Sequence, residues 1–135
     1  AIIAEFQNKP VLEFEGPRRQ LSIFDALAER DQRDLLEGVI AETRQVEEDP
    51  GRLRRAWLLN DEATLVKATE TGIMADPELR EALLVKRNED WLQQLEPLLA
   101  KPEKPLVAVG AAHLVGPDGL VQRLKQKGFT VRSLH

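Results

Sequence analysis

Apolar and polar residues follow two kinds of pattern along the chain, and three short segments have the pattern of β-strands. These are residues 9–14, 106–110 and 129–134. The Gly16-Pro17 pair ends the first segment, and the second is apolar throughout, which is typical of a strand covered on both faces. A segment of helical spacing separates the second from the third, so we predict a βαβ unit with parallel strands.

Helical spacing extends over the residues between the first two strand-like segments. Residues of one helix face recur every three or four positions in four stretches, with a break at Pro50 and Gly51. The four sets are Leu21, Phe24 and Leu27, then Leu35, Leu36, Val39 and Ile40, then Leu53, Trp57 and Leu58, then Leu65, Val66 and Thr69. A longer helix is predicted over residues 77–100, because Asp76 is a natural N-cap and Pro77 suits the first helical position.

The last third of the chain completes the predicted architecture. Gly116 and Pro117 open a further helix, and Gly128 is placed to cap its C-terminus. We therefore predict an α/β fold, mainly helical with a small, largely parallel β-sheet, in the order β-α-α-α-α-α-β-α-β. The chain has 135 residues, about the size of one domain, so a single domain over residues 1–135 is expected.

Composition indicates a globular protein and removes several classes of function. Hydrophobic residues make up 42% of the chain and charged residues 31%, which is typical of chains that fold. The net charge of −4 argues against a nucleic-acid or anionic-membrane surface, and the one basic cluster, Arg52, Arg54 and Arg55, is interpreted as a solvated helix face. The lack of cysteine excludes disulfides and thiol nucleophiles. No apolar run is long enough for a transmembrane segment.

His113 and Glu15 are the first candidates for chemistry. His113 follows the 106–110 segment, three residues after Gly110, and Glu15 follows the 9–14 segment. The carboxyl ends of parallel strands face the crevice where ligands bind. An imidazole and a carboxylate in one crevice suit metal ligation or acid–base catalysis. The alternatives are a structural histidine in a loop and a solvated glutamate at a strand end.

Arg87 and Asn88 are the second pair of candidates. They interrupt the leucine stripe of the 77–100 helix at positions that face the predicted core. Polar groups that face inward need buried partners, and Glu15 would be one. The alternative is an arginine that snorkels at the helix edge beside a polar neighbour.

Other catalytic motifs are missing from the sequence. The stretch GAAHLVG is neither a dinucleotide-binding nor a P-loop motif, and Ser22 and Ser133 do not lie in a G-x-S-x-G elbow. His135 is the only other histidine, which argues against a self-contained zinc site. Its terminal position fits the start of a purification tag, and it is assigned no role.

Four stretches resemble successive C-terminal blocks of the TraB/GumN family, which includes the TIKI proteases. They are KPVLEFEGPRRQLSIFDAL, LRRAWLLND, LLVKRNEDWLQQLEPLL and VAVGAAHLVGPDGLVQRLKQKGFTVRSL. The resemblance covers about residues 9–134, and the last block is the most specific. It implies a metal-dependent, peptidase-like hydrolase in which two G-x-x-H motifs, an acidic residue and an Arg-Asn pair converge.

The resemblance assigns roles to positions of this chain. Gly110 to His113 match the second G-x-x-H motif, and Glu15 matches the acidic residue. His113 would be a ligand of a divalent metal ion, Glu15 a ligand or general base, and Arg87 with Asn88 would orient the carboxylate or stabilise an oxyanion. The substrate would be a peptide or a small protein, and an extracytoplasmic location, periplasmic or membrane-anchored, is implied.

The sequence also departs from the family pattern. The first G-x-x-H motif is absent, so we expect the chain to be the C-terminal part of a larger domain, inactive by itself and with only part of the ligand set of a divalent metal ion of unknown identity. Asn60 stands where the family often has glycine. A competing interpretation is a non-catalytic module that binds or sequesters a peptide or pheromone through the helices of residues 20–100. A third is a domain that only associates, as a homo-oligomer.

Overall fold

The computed structural model describes residues 10–103 and 105–134, with residues 45–47 described in their backbone only. The first half of the described chain contains the helices α1 (Pro17–Asp25), α2 (Glu29–Glu48), α3 (Arg52–Leu58) and α4 (Glu62–Ala68), followed by a 3₁₀ turn (Gly72–Ala75). The second half contains α5 (Pro77–Arg80), a π-helical turn (Glu81–Val85), α6 (Lys86–Leu99), a 3₁₀ turn (Ala111–His113) and α7 (Leu120–Gln126). No helix in these ranges is both long and apolar enough to cross a bilayer.

The predicted parallel sheet is absent, so the α/β prediction is wrong. The described residues contain helices and turns but no strand, and no backbone hydrogen bond joins residues 10–14, 105–110 and 129–134 to one another. Lys9, the first residue of the predicted strand, lies outside the described residues. A strand needs a neighbour to satisfy its N–H and C=O groups, and an apolar pattern does not supply that neighbour. Val11 is 90% exposed and Leu106 is 46% exposed, so neither segment is covered on both faces.

The long helix of residues 77–100 forms with its predicted start. Asp76 is the N-cap, and its Oδ1 accepts a hydrogen bond from the backbone N–H of Leu79 at 2.9 Å. Pro97 lies within α6, which nevertheless continues to Leu99. The π-helical turn is not predicted by the sequence pattern. Asn88 follows this turn and is fully buried, on the same face as Leu84, Trp91 and Leu92.

α6 forms the centre of the fold. Trp91 and Leu92 of α6 pack against Leu120 of α7, with Phe14 and Val109 against the same cluster. Phe14 and Val109 belong to segments predicted as strands, and they contact the core without forming one. The contact places the residues that follow each segment, Glu15 and the 111–113 turn, beside α6.

The position that differs from the family pattern has a conformational explanation. Asn60 follows α3 with a φ of 58°, in the left-handed region. Glycine adopts this conformation without strain, and asparagine tolerates it better than most residues. The exchange of glycine for asparagine therefore preserves the end of α3.

Candidate functional site

The four predicted site residues lie close together: Arg87 and His113 contact the indole ring of Trp91, Glu15 is bonded to Arg87, and Asn88 is bonded to His113. The His113 ring centre lies 4.4 Å from that of Trp91, and the Phe14 ring stacks on it at 5.5 Å. The guanidinium carbon of Arg87 lies 4.9 Å from the same ring centre, within the range of a cation–π contact. Trp91 is one helical turn beyond Arg87 and Asn88, so one face of α6 presents all three side chains. Sequence reasoning did not select Trp91, although this spacing could have indicated it.

Glu15 and Arg87 form an ion pair that is largely buried. Arg87 Nε donates to Glu15 Oε1 at 2.8 Å, and the side chain of Arg87 is 18% exposed and that of Glu15 is 8% exposed. Arg87 also donates from a terminal nitrogen to the carbonyl oxygen of Leu83, in the π-helical turn, at 3.1 Å. The second oxygen of Glu15, Oε2, is buried and has no hydrogen-bond partner among the described residues. This oxygen can therefore accept a bond from a bound ion or molecule.

Asn88 binds His113 rather than the carboxylate of Glu15. Its side chain is 0% exposed, and its Nδ2 donates to the carbonyl oxygen of Asp118 at 2.8 Å. A carbonyl oxygen can only accept, so this contact fixes the orientation of the amide. Asn88 Oδ1 then faces His113 Nδ1 at 2.7 Å. An amide oxygen can only accept, so Nδ1 must carry the proton.

His113 is therefore held neutral with one nitrogen free of a proton. Burial of the ring and the positive charge of Arg87 lower the pKa of His113 from 6.5 to about 4, and the negative charge of Glu15 raises it in part. At neutral pH the ring is uncharged, with its proton on Nδ1 and a lone pair on Nε2. This is the state in which an imidazole ligates a metal or accepts a proton.

The loop between His113 and α7 completes the support of Asn88. A Cβ at Gly119 would collide with the carbonyl oxygens of Leu114 and Val115, so the loop requires glycine there. Gly110, the first residue of the G-x-x-H motif, is different. Its φ is −61° and a Cβ would lie 3.7 Å from His113 Cδ2, an ordinary contact. The backbone and packing of the described residues thus leave room for alanine at position 110.

The donor set fits a divalent cation in part. Glu15 Oε2 and His113 Nε2 are an oxygen and a nitrogen ligand of the kinds that zinc and similar ions accept. No group of three histidine, cysteine, aspartate or glutamate side chains in the described chain is placed to hold a metal. Catalytic zinc sites usually have three protein ligands. The two residues therefore supply an incomplete set.

A cavity of about 460 Å³ lies between α1, the start of α2 and the helical segment from α5 to α6. Glu15, Arg87 and Trp91 line it, so it opens on the carboxylate side of the site. Its volume is within the range of small-ligand pockets, about 300–1,000 Å³. The arrangement places a buried carboxylate at the wall of a cavity large enough for a side chain or a short peptide.

A comparison with known protein families gives a match. The model of the TraB/PrgY/gumN family matches residues 1–133, which is essentially the whole chain. Neither the curated proteins nor the solved structures contain a match to the chain.

Proposed function

The chain belongs to the TraB/PrgY/gumN family, and on that premise we propose that it contributes Glu15, Arg87, Asn88 and His113 to the site of a metal-dependent, peptidase-like hydrolase. The observation that carries the proposal is that Glu15 and His113 each have one atom with an unused lone pair, which could ligate a metal ion. Glu15 Oε2 is buried without a hydrogen-bond partner among the described residues, and the bond from Asn88 leaves the lone pair of His113 Nε2 free. A buried polar atom without a partner is unfavourable unless a ligand satisfies it.

Glu15 and His113 are the residues that would hold the cation. A divalent ion bound there supplies a Lewis acid for a peptide carbonyl and a more acidic water. Two protein ligands predict weak binding, since protein zinc sites usually have three or four. The family resemblance implies that the histidine of the first G-x-x-H motif joins the site, and this sequence lacks that motif.

The other side chains of the site hold these donors in place. Arg87 balances the charge of Glu15 in a setting where an isolated carboxylate would be costly. Asn88 keeps the His113 proton on Nδ1. The rings of Phe14 and Trp91 cover one side of the site and reduce its contact with water.

The proposal is tested by zinc binding and by peptide cleavage. We expect the chain to bind Zn²⁺ in calorimetry with a stoichiometry of one, and His113→Gln to weaken binding about tenfold or more. His135→Gln is the matched control, because it removes the other histidine, and it should bind as the unsubstituted chain does. Equal Zn²⁺ affinity in His113→Gln and the unsubstituted chain would overturn the assignment of His113.

The cleavage experiment uses a mixture of unstructured peptides with added Zn²⁺, followed by mass spectrometry. The chain preceded by a segment that carries a G-x-x-H motif should cleave peptides, and the same protein with Glu15→Gln should not. Glu13→Gln is the control, because Glu13 is an exposed carboxylate two residues away. Equal cleavage by the Glu15→Gln protein would remove Glu15 from the proposed site.

The cavity favours a second candidate function, a module that binds peptides without cleaving them. Most residues that line the cavity, from α1, the α1–α2 connection, the start of α2 and the helical segment from α5 to α6, lie within residues 20–100, the region expected to bind a peptide. The same peptide mixture distinguishes the two functions. A binder retains peptides intact in the presence of Zn²⁺, whereas a hydrolase releases fragments.

A further inference from the structure

Asp118 lies at the centre of an ion-pair network outside the four site residues. Its Oδ2 accepts from Arg80 of α5 at 2.6 Å, and its Oδ1 lies 3.5 Å from Arg123 of α7. All three side chains are less than one-third exposed. Arg80 Nε also donates to the carbonyl oxygen of Thr69 at 3.3 Å. The network therefore ties the loop before α7 to α5 and to the end of α4.

The backbone of Asp118 connects this network to the site. Its carbonyl oxygen accepts from Arg123 Nε at 2.9 Å and from Asn88 Nδ2 at 2.8 Å. The side-chain ion pairs hold the same residue whose carbonyl fixes the amide of Asn88. If this carbonyl moves, the amide of Asn88 loses the contact that determines which of its ends faces His113.

We propose that Asp118, held by Arg80, is a positioning residue that sets the tautomer of His113 through Asn88. The significance of this tautomer for metal binding rests on the proposed function, whereas the link from Asp118 to His113 is a property of the fold alone. Outer partners of this kind orient a ligating histidine and determine which nitrogen is free. The chain of contacts runs from Arg80 to Asp118, Asn88 and His113.

Long-range ¹H–¹⁵N spectra of the ¹⁵N-labelled chain, recorded near neutral pH, report the tautomer directly. The Nδ1–H tautomer is expected for His113 in the unsubstituted chain, with the other histidine removed by His135→Gln in every sample. Asp118→Ala and Arg80→Met should each convert a measurable fraction to the Nε2–H tautomer. Arg80→Lys, which keeps the positive charge, should restore Nδ1–H in part.

Glu89→Gln is the matched control. Glu89 contacts Arg123 Nη1 at 3.2 Å, whereas Asp118 lies near Nη2, so this variant changes the network without releasing the Asp118 carboxylate from Arg80. It should retain the Nδ1–H tautomer. A shift in Glu89→Gln as large as that in Arg80→Met would contradict a specific role for the Arg80–Asp118 contact.

Each outcome of the experiment decides the proposal. Retention of Nδ1–H in folded Asp118→Ala overturns it. If Asp118→Ala does not fold, Arg80→Met decides in the same way, and its retention of Nδ1–H overturns the proposal. The tautomer is measured without metal, so the proposal for Asp118 can fail while the proposed function holds, and the reverse. If the positioning role of Asp118 and the proposed metal site are both correct, Arg80→Met should also weaken Zn²⁺ binding about tenfold.

Discussion

Protonation of His113 should destabilise the folded chain. The pKa of His113 is lowered from 6.5 to about 4 in the folded chain, first by burial of the ring and then by the charge of Arg87. Between these values the unfolded chain binds a proton that the folded chain does not. The free energy of unfolding therefore falls as the pH is lowered from about 6.5 to about 4, and this contribution is constant outside that window.

The size of this loss follows from the shift. A change of this size in pKa corresponds to about 3 kcal/mol, and the partial exposure of the ring reduces the expected value to about 2 kcal/mol. His113→Gln removes the titrating group and leaves a polar amide in its place. Its free energy of unfolding should thus depend less on pH in this window than that of the unsubstituted chain.

Urea unfolding followed by circular dichroism, at about pH 7 and about pH 4.5, measures the difference. The pKa values of Asp49 and Asp61 are also lowered, by hydrogen bonds from Arg55 and Thr64 respectively, but both carboxylates are present in both chains and cancel. His135→Gln controls for the other histidine and should keep the full pH dependence. Equal pH dependence of the unsubstituted chain and His113→Gln would refute the account of His113.

Three further substitutions test the contacts of the fold. Arg87→Met leaves the buried Glu15 carboxylate without its partner and should lower the free energy of unfolding, measured in urea, by about 3 kcal/mol. Glu15→Gln added to this variant should restore most of the lost stability. A loss below about 1 kcal/mol in Arg87→Met alone would contradict the buried ion pair. Asn88→Ala removes two buried hydrogen bonds and should lower the same quantity by about 2–4 kcal/mol, whereas exposed Gln93→Ala should change it by less than about 0.5 kcal/mol. Asn60→Gly should melt at a higher temperature than Asn60→Ala, because both variants lose the side-chain amide and only glycine adopts the left-handed conformation without strain, and an equal or lower melting temperature would contradict that conformation.

Helices were predictable from the sequence because their signals are local. Asp76 and Pro77 mark a helix start within two residues, and the structure shows the expected cap. The sheet was not predictable in the same way, because a strand depends on a partner that its own residues do not specify. Residues 106–110 have the apolar composition of a buried strand, yet the described residues contain no strand with which they could pair.

The candidate site was predictable to the level of which residues meet. The gap in the leucine stripe at Arg87 required a buried partner, and Glu15 occupies that place. The partner of Asn88 was not predictable, because the orientation of its amide depends on the carbonyl of Asp118. A backbone carbonyl carries no sequence signal, so the bond to His113 emerges only from the folded chain.

The most direct test of a shared cation site is a double-mutant cycle on Zn²⁺ affinity. It compares the unsubstituted chain, Glu15→Gln, His113→Gln and the double variant by calorimetry. If the two residues hold one ion, each single substitution weakens binding about tenfold or more and the double variant loses less than the sum of the two effects. Single substitutions that leave Zn²⁺ affinity unchanged, or that add independently, would contradict a shared site.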